Sequence, residues 1–291
     1  MDFHSYITMR DWTRRAMPGD RLGNDIDHFY KQAMADAVRQ RSGQFLAQMM
    51  NERDWEKARR PYYNVFPSII PMLTRLNLDL DSSLIRLPLP VLCVRLPKDM
   101  AKNPLKFDWK GEEIAVHCML LGEINDGTGI SVMIDIGETM PQIGFPIYSY
   151  RNFRRREGLT VENALRELKP DWSVAMGVTI PDFIVDDCIR LCCSLCLLEN
   201  DPEVISPDVL ADDRAKFEQT GDQKYVEKAK RRGKVGWDVG RQIEVIPHYR
   251  RPHMALVWTG RGRGVPRIVP RRGSIVHREV LGKVPSGFGE W

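Results

Sequence analysis

The chain of 291 residues has room for one large domain or two ordinary ones. Its 43% apolar and 28% charged residues match an average globular composition, which excludes wholesale disorder. No uncharged apolar run of about 18 residues occurs, so no transmembrane helix is expected, and Asp2, Asp11, Asp20 and Asp25 with no apolar stretch among them argue against a secretory signal.

In chain order, Asn24 or Asp25 can cap a helix whose apolar positions Ile26, Phe29, Tyr30, Ala33 and Ala37 follow the i, i+3, i+4, i+7 pattern. Gly43 interrupts it, a second helical stretch carrying Phe45, Leu46, Met49 and Met50 runs toward Arg59, and Pro61 stops that one. A short helix over 67–76 comes next. From Asp79 the pattern turns to strands at 83–87 and 91–96, with Pro88, Pro90 and Pro97 placing them at an edge or a bend. Residues 113–124 and 130–136 flank the loop Asn125-Asp126-Gly127-Thr128-Gly129, which suits a β-hairpin, and 146–150 can add a further strand. This middle region reads as an antiparallel sheet. Thr160 starts a short helix ending near Leu168, and Thr179 or Asp182 starts the most apolar helix of the chain, 183–198. A helix apolar nearly all round is a buried one, so the sheet is expected to pack against it.

The net charge of +4 conceals an asymmetry along the chain. Between Lys224 and Lys283, sixteen Lys/Arg stand against four acids, a balance of +12 that leaves −8 for the remaining residues. A basic helix is expected over 222–232, then a Gly-, Arg- and Pro-rich stretch with short strands at 242–246, 254–258, 267–269 and 274–276. The fold class is therefore α+β: N-terminal helices, a central antiparallel sheet on the buried helix 183–198, and a basic β-rich C-terminal module. Residues 1–222 form a mildly acidic body, helical over 1–78 with sheet and buried helix over 79–222, and 223–291 form the basic module. Such a split points to a polyanionic partner for the module.

Four of the six cysteines crowd into 188–196, which suits neither a disulfide framework nor a metal. Cys188, Cys192 and Cys196 line one helical stripe, whereas tetrahedral zinc needs ligands converging from several directions, so core packing in a reducing cytosol is expected. No phosphate-binding loop, nucleophile elbow, H-E-x-x-H or EF-hand loop occurs. Adjacent acids such as Asp186/Asp187 and Asp212/Asp213 fit solvated turns, and neither metal nor cofactor is expected.

One constellation carries chemistry: His248-Tyr249-Arg250-Arg251-Pro252-His253, followed by Trp258, Gly260, Arg261, Gly262, Arg263 and Arg267. Arg offers a planar fork matched to phosphate, His a donor that charges near neutral pH, and Tyr or Trp a stacking face. His248, Tyr249, Arg250, Arg251, His253, Trp258, Arg261, Arg263 and Arg267 are the candidate binding residues. His248 and His253 are also candidate acid–base groups for metal-independent RNA cleavage, although no third catalytic group can be assigned.

At these residues the sequence resembles a phage and mobile-element family whose characterised member is the type V-A anti-CRISPR protein that suppresses synthesis of the CRISPR nuclease. The family pattern is close to H-x-R-R-G-H-W-H-x-x-W-x-G-x-G, and His248, Arg250, Arg251, His253, Trp258, Gly260 and Gly262 match it. Asp238-Val239-Gly240-Arg241 before it, and Arg267 and Pro270 after it, add to the likeness, as do the order and spacing of the strand near 89–96, the helix 183–198 and its exit at 199–206. Pro252 stands for the glycine, Met254 for the tryptophan and Ala255 for the last histidine. These changes weaken a catalytic role for the histidines and stiffen the backbone between the two that remain. The likeness covers the C-terminal half well and the N-terminal half in outline. It implies a cytoplasmic regulator in a bacterial host that recognises the nascent peptide of a target protein and triggers loss of its mRNA. Its partners would be mRNA or ribosomal RNA, the nascent polypeptide and a host nuclease, with no membrane. A ribonuclease and a phage structural or assembly protein are the alternatives.

Overall fold

The structure is a computed structural model and describes residues 1–17, 24–124, 127–137, 148–167, 179–201, 204–236, 248–250, 253–259, 265–271 and 274–276. Three helices come first. The Thr8 hydroxyl accepts from the Asp11 N–H to cap α1 (Met9–Ala16), Asp25 caps α2 (Ile26–Arg39) and Ser42 caps α3 (Gly43–Lys57). The sequence pattern places α2 and α3 but misses α1, whose eight residues put only Met9, Trp12 and Ala16 on one face, too short a stripe to stand out. Pro61 ends the helical region as expected, and α4 (Ile70–Thr74) is the shortened form of the helix expected over 67–76.

Seven strands form the main sheet: β1 (Tyr62–Val65), β2 (Val91–Arg95), β5 (Cys118–Glu123), β6 (Gly129–Asp135), β7 (Tyr148–Arg154), β8 (Ile205–Pro207) and β9 (Arg232–Val235). Their spatial order is β7-β6-β5-β2-β1-β9-β8. The α+β class holds, but the sheet is mixed: β1 pairs parallel with β2 on one side and with β9 on the other, while the remaining neighbours are antiparallel. The expectation of an antiparallel sheet holds for the β2-β5-β6-β7 half. It fails at β1 and β9, two four-residue strands that are too short and polar to show in the pattern. The position expected for β2 is corrected too. It lies in the sheet interior, because Pro88, Pro90 and Pro97 fall just outside Val91–Arg95 and leave its ladder donors intact.

Two other strand expectations resolve differently. Residues 83–87 hold no strand. Asp81 instead caps a single 3-10 turn at Ser82–Leu84, its carboxylate accepting from Ser83 N–H at 2.8 Å. The run 113–124 is cut in two, its first part forming a small hairpin of β3 (Lys106–Trp109) with β4 (Glu112–Ala115) around Lys110 and Gly111, both at positive φ. Its second part is β5, which pairs with β6 as the expected hairpin.

Helix α5 (Val161–Glu167) comes after Thr160, and α6 (Asp182–Leu198) crosses one face of the sheet. Ile184, Ile189, Leu191, Leu195 and Leu198 of α6 pack with Val65, Leu92, Val94, Met119, Leu121, Val132 and Ile134 in the main core. On the opposite face, Cys93, Cys118, Leu120 and Met133 meet Trp55 of α3 and Tyr6 of the N-terminal segment. Burial from both sides explains why β2, β5 and β6 read as continuous apolar runs without alternation. All six cysteines are free and buried, and burial pushes the Cys188 and Cys196 thiols well up. No helix among the described residues is long and apolar enough to cross a membrane.

Helices α7 (Ala211–Thr220) and α8 (Lys224–Lys230) lead into β9. Residues 232–235, grouped in the sequence with the basic module, thus lie inside the main sheet. Gly233 stands opposite Tyr63, and a Cβ there would collide with the Tyr63 ring, so only glycine lets the two strands meet.

Candidate nucleic-acid interface

The basic segment divides into two parts with different electrostatics. In the first, four cations each have an acid of their own: Lys224 meets Asp222 at 2.6 Å, Arg231 meets Glu227 at 4.0 Å, Arg232 meets Asp213 at 2.6 Å and Lys234 meets Asp208 at 3.0 Å. Lys228 shares Asp213 at 3.6 Å. The Arg232 guanidinium holds the Asp213 carboxyl below its ordinary range. The solvated turn expected for these adjacent acids is corrected: both lie in the first turn of α7, where Asp212 is exposed and Asp213 is buried in an ion pair. Asp208 and Asp213 are the residues that sequence reasoning missed. They lie 15 or more positions before their partners, and only the pairing of β8 with β9 and the packing of α7 beside them bring the charges together.

The second part is a ribbon of β11 (His253–Thr259) and β12 (Val265–Arg271), paired antiparallel along their whole length. It is anchored from one side. Ile268 is buried and Met254 and Leu256, on the same face, pack on the main core, while the Leu256 N–H donates to the Asp201 carboxylate at 3.4 Å; Ala255, also buried, belongs to the opposite face. Thr259 Oγ1 donates to the Val265 carbonyl at 3.1 Å and closes the far end. Pro266 and Pro270 sit four residues apart in β12, so their donor-less nitrogens point the same way and leave the ribbon's outer edge a poor template for another strand.

Arg267 and Arg271 of β12 are exposed. Four residues apart on one strand, they share a face, about 13 Å from each other at the rise of a β-strand. Among the described residues neither is ion-paired. The register sets Arg267 opposite Val257, Arg271 opposite His253 and Trp258 opposite Pro266. The remaining candidates fall elsewhere. His248, Tyr249 and Arg250 form β10 (His248–Arg250), which pairs antiparallel with β13 (Ser274–Val276), His248 opposite Val276. This is the register that β11 keeps with β12, with Arg250 opposite Ser274 and His253 opposite Arg271, so both histidines face the same antiparallel partner stretch. Arg251, Arg261 and Arg263 lie outside the described residues, as do Pro252, Gly260, Gly262, the 238–241 stretch and the strand expected over 242–246. Among the described residues no group of three or more His, Cys, Asp or Glu side chains is placed to hold a metal ion.

In comparisons with known proteins, no family model matches the chain and no curated protein matches it.

Proposed function

We propose that this protein is a regulator that grips RNA, either mRNA or ribosomal RNA, on the outer face of the β11–β12 ribbon and lowers the synthesis of a target protein. One observation carries the RNA-binding part: Arg267 and Arg271 are exposed on a single strand while the other side of that ribbon is pinned to the core. Two guanidinium forks at fixed spacing, with no acid partner among the described residues, suit successive contacts with a phosphodiester chain. The neutralised stretch 224–234 supplies little to such a contact, so the interface is narrower than the charge count implies. The regulatory part rests on the resemblance to the anti-CRISPR family, which adds recognition of a nascent peptide and loss of the encoding mRNA.

The test is RNA binding measured by fluorescence anisotropy across a salt series. Affinity should fall steeply with salt, and replacing both Arg267 and Arg271 with Gln should lower the log–log slope by about 1.4, since each phosphate contact on a single strand contributes about 0.7. Both side chains are exposed, so the double variant should fold as the parent does. An unchanged slope would remove the ribbon from the interface.

A further inference from the structure

A second place in the molecule has the make-up of a ligand site, and it lies far from the ribbon in sequence. Four chain segments run side by side beyond the carboxyl end of β2: His4 N–H donates to the Leu96 carbonyl at 2.9 Å, Leu96 N–H to the His117 carbonyl at 3.0 Å and His117 N–H to the Asp135 carbonyl at 2.7 Å. This row brings the His4 and His117 rings into a parallel stack, with centroids 3.6 Å apart and planes within 9°. Gly137 closes the arrangement at φ +76°, where a Cβ would strike the His117 ring. The stack borders a cavity of ≈ 360 Å³, whose other walls come from Ser5, Trp12, Lys98 and Asp135. That volume is at the small end of ligand sites.

The walls are chemically unfinished. His4 Nε2 and Trp12 Nε1 are buried with no hydrogen-bond partner among the described residues, and a buried polar group left unmade costs about 1–3 kcal/mol. Lys98 is exposed at the rim, and the Arg15 guanidinium lies 5.9 Å from the centre of the Trp12 ring. The acid in the wall, Asp135, is buried and its Oδ1 accepts from the Gly137 N–H at 2.7 Å. We propose that this cavity binds the oxyanion group of a small ligand, a carboxylate or a phosphate, between Lys98 and the stacked His4–His117 pair.

Burial, and then the Lys98 charge, lowers the His4 pKa to about 4; burial, and then His4 itself, lowers that of His117 to about 4. Both rings are therefore uncharged at neutral pH, and Lys98 and Arg15 supply the positive field. An anion seated beside the rings favours their charged form against burial and mutual repulsion. Its binding then takes up a proton, and affinity rises as the pH falls from 7 toward 5.

The experiment tracks the imidazole C2 protons of the full chain by NMR in chloride, with inorganic phosphate added in one arm and acetate in the other. We expect the His4 and His117 resonances to move saturably, with midpoints raised by about one unit or more, as an opposite charge at contact distance does. A response to phosphate alone assigns the site to phosphorylated ligands, and a response to acetate to carboxylates. Lys98→Gln, a change at an exposed position, should weaken binding about tenfold while leaving the ring stack in place. Resonances that respond to chloride alone in both arms, or full affinity in Lys98→Gln, would overturn the assignment.

Discussion

The two faces of the main sheet are closed by different chemistry. Over one face lies α6, with buried hydrocarbon and thiol groups along nearly its whole length. Over the other, a thin apolar layer of Cys93, Cys118, Leu120, Met133 and Trp55 is capped by a buried polar network. In that network Glu52 accepts from Tyr6 OH at 2.9 Å, Met9 N–H at 2.8 Å and Gln48 Nε2 at 2.9 Å. One turn along α3, Glu56 accepts from Thr8 Oγ1 at 2.9 Å and Tyr30 OH at 3.0 Å, and it pairs with Arg10 and Arg60. The difference teaches how each element is held. Helix α6 is fixed by area, which tolerates sliding, whereas the N-terminal segment is fixed by directional bonds that accept one register only.

Breaking the polar side should cost most. Glu56→Ala leaves the Arg10 guanidinium, 9% exposed at its side chain, without its carboxylate, and removing one partner of a buried pair costs about 3–5 kcal/mol. Urea unfolding should show that loss, and a loss below about 1 kcal/mol would mean that the network is solvated in practice. Leu191→Ala on the apolar side should cost about 2–5 kcal/mol through lost burial and the cavity left behind. A double variant should show additive losses, because the two sites share no partner across the sheet. Strong coupling between them would refute the picture of two independently closed faces. Trp55→Phe tests the junction between the layers, since it keeps the ring contact with Tyr6 and removes the 2.8 Å bond from the indole N–H to the Pro61 carbonyl. The expected cost is about 0.5–1.5 kcal/mol, that of one net hydrogen bond, since the Pro61 oxygen still accepts from the Cys93 N–H at 3.1 Å.

This contrast also decides what was legible in the sequence. Helix α6 could be read because seventeen residues with hardly a polar face have one physical solution. The β5–β6 hairpin could be read from its glycine-bearing loop. The polar face left no local trace: Tyr6 meets Glu52 across 46 positions and Thr8 meets Glu56 across 48, and periodicity cannot see such pairs. Strands β1 and β9 were missed for a related reason, their alternation spanning only four residues each. Of the candidate binding residues, His248, Tyr249, Arg250, His253 and Trp258 fall on β10 and β11 and Arg267 on the facing strand β12, a cross-strand pairing that a linear motif cannot express. His4, Lys98, His117 and Asp135 share no spacing at all, so their cavity exists only in the fold.

The finest distinction between the two faces is their response to pH. Burial raises the Glu52 carboxyl to about 7. In the unfolded chain Glu52 ionises near its ordinary value, so between pH 4.5 and 7 the folded state holds more protons than the unfolded state. Stability from this group is therefore fully present below pH 4.5 and declines as the pH rises toward 7. His4 and His117, lowered to about 4 in the fold, act in the opposite sense: the unfolded state binds more protons between pH 4 and 6.5, and stability rises with pH across that window. The parent protein should thus show a flattened profile in which the two contributions oppose one another. Glu52→Gln keeps the side-chain shape and removes one of them. Its urea midpoint should climb more steeply than the parent's between pH 4.5 and 6.5, and Leu191→Ala should lower the midpoint without tilting the profile. Parallel profiles for Glu52→Gln and the parent would show that the buried carboxylate is charged throughout, its donors Tyr6, Met9, Gln48 and Tyr30 outweighing its burial.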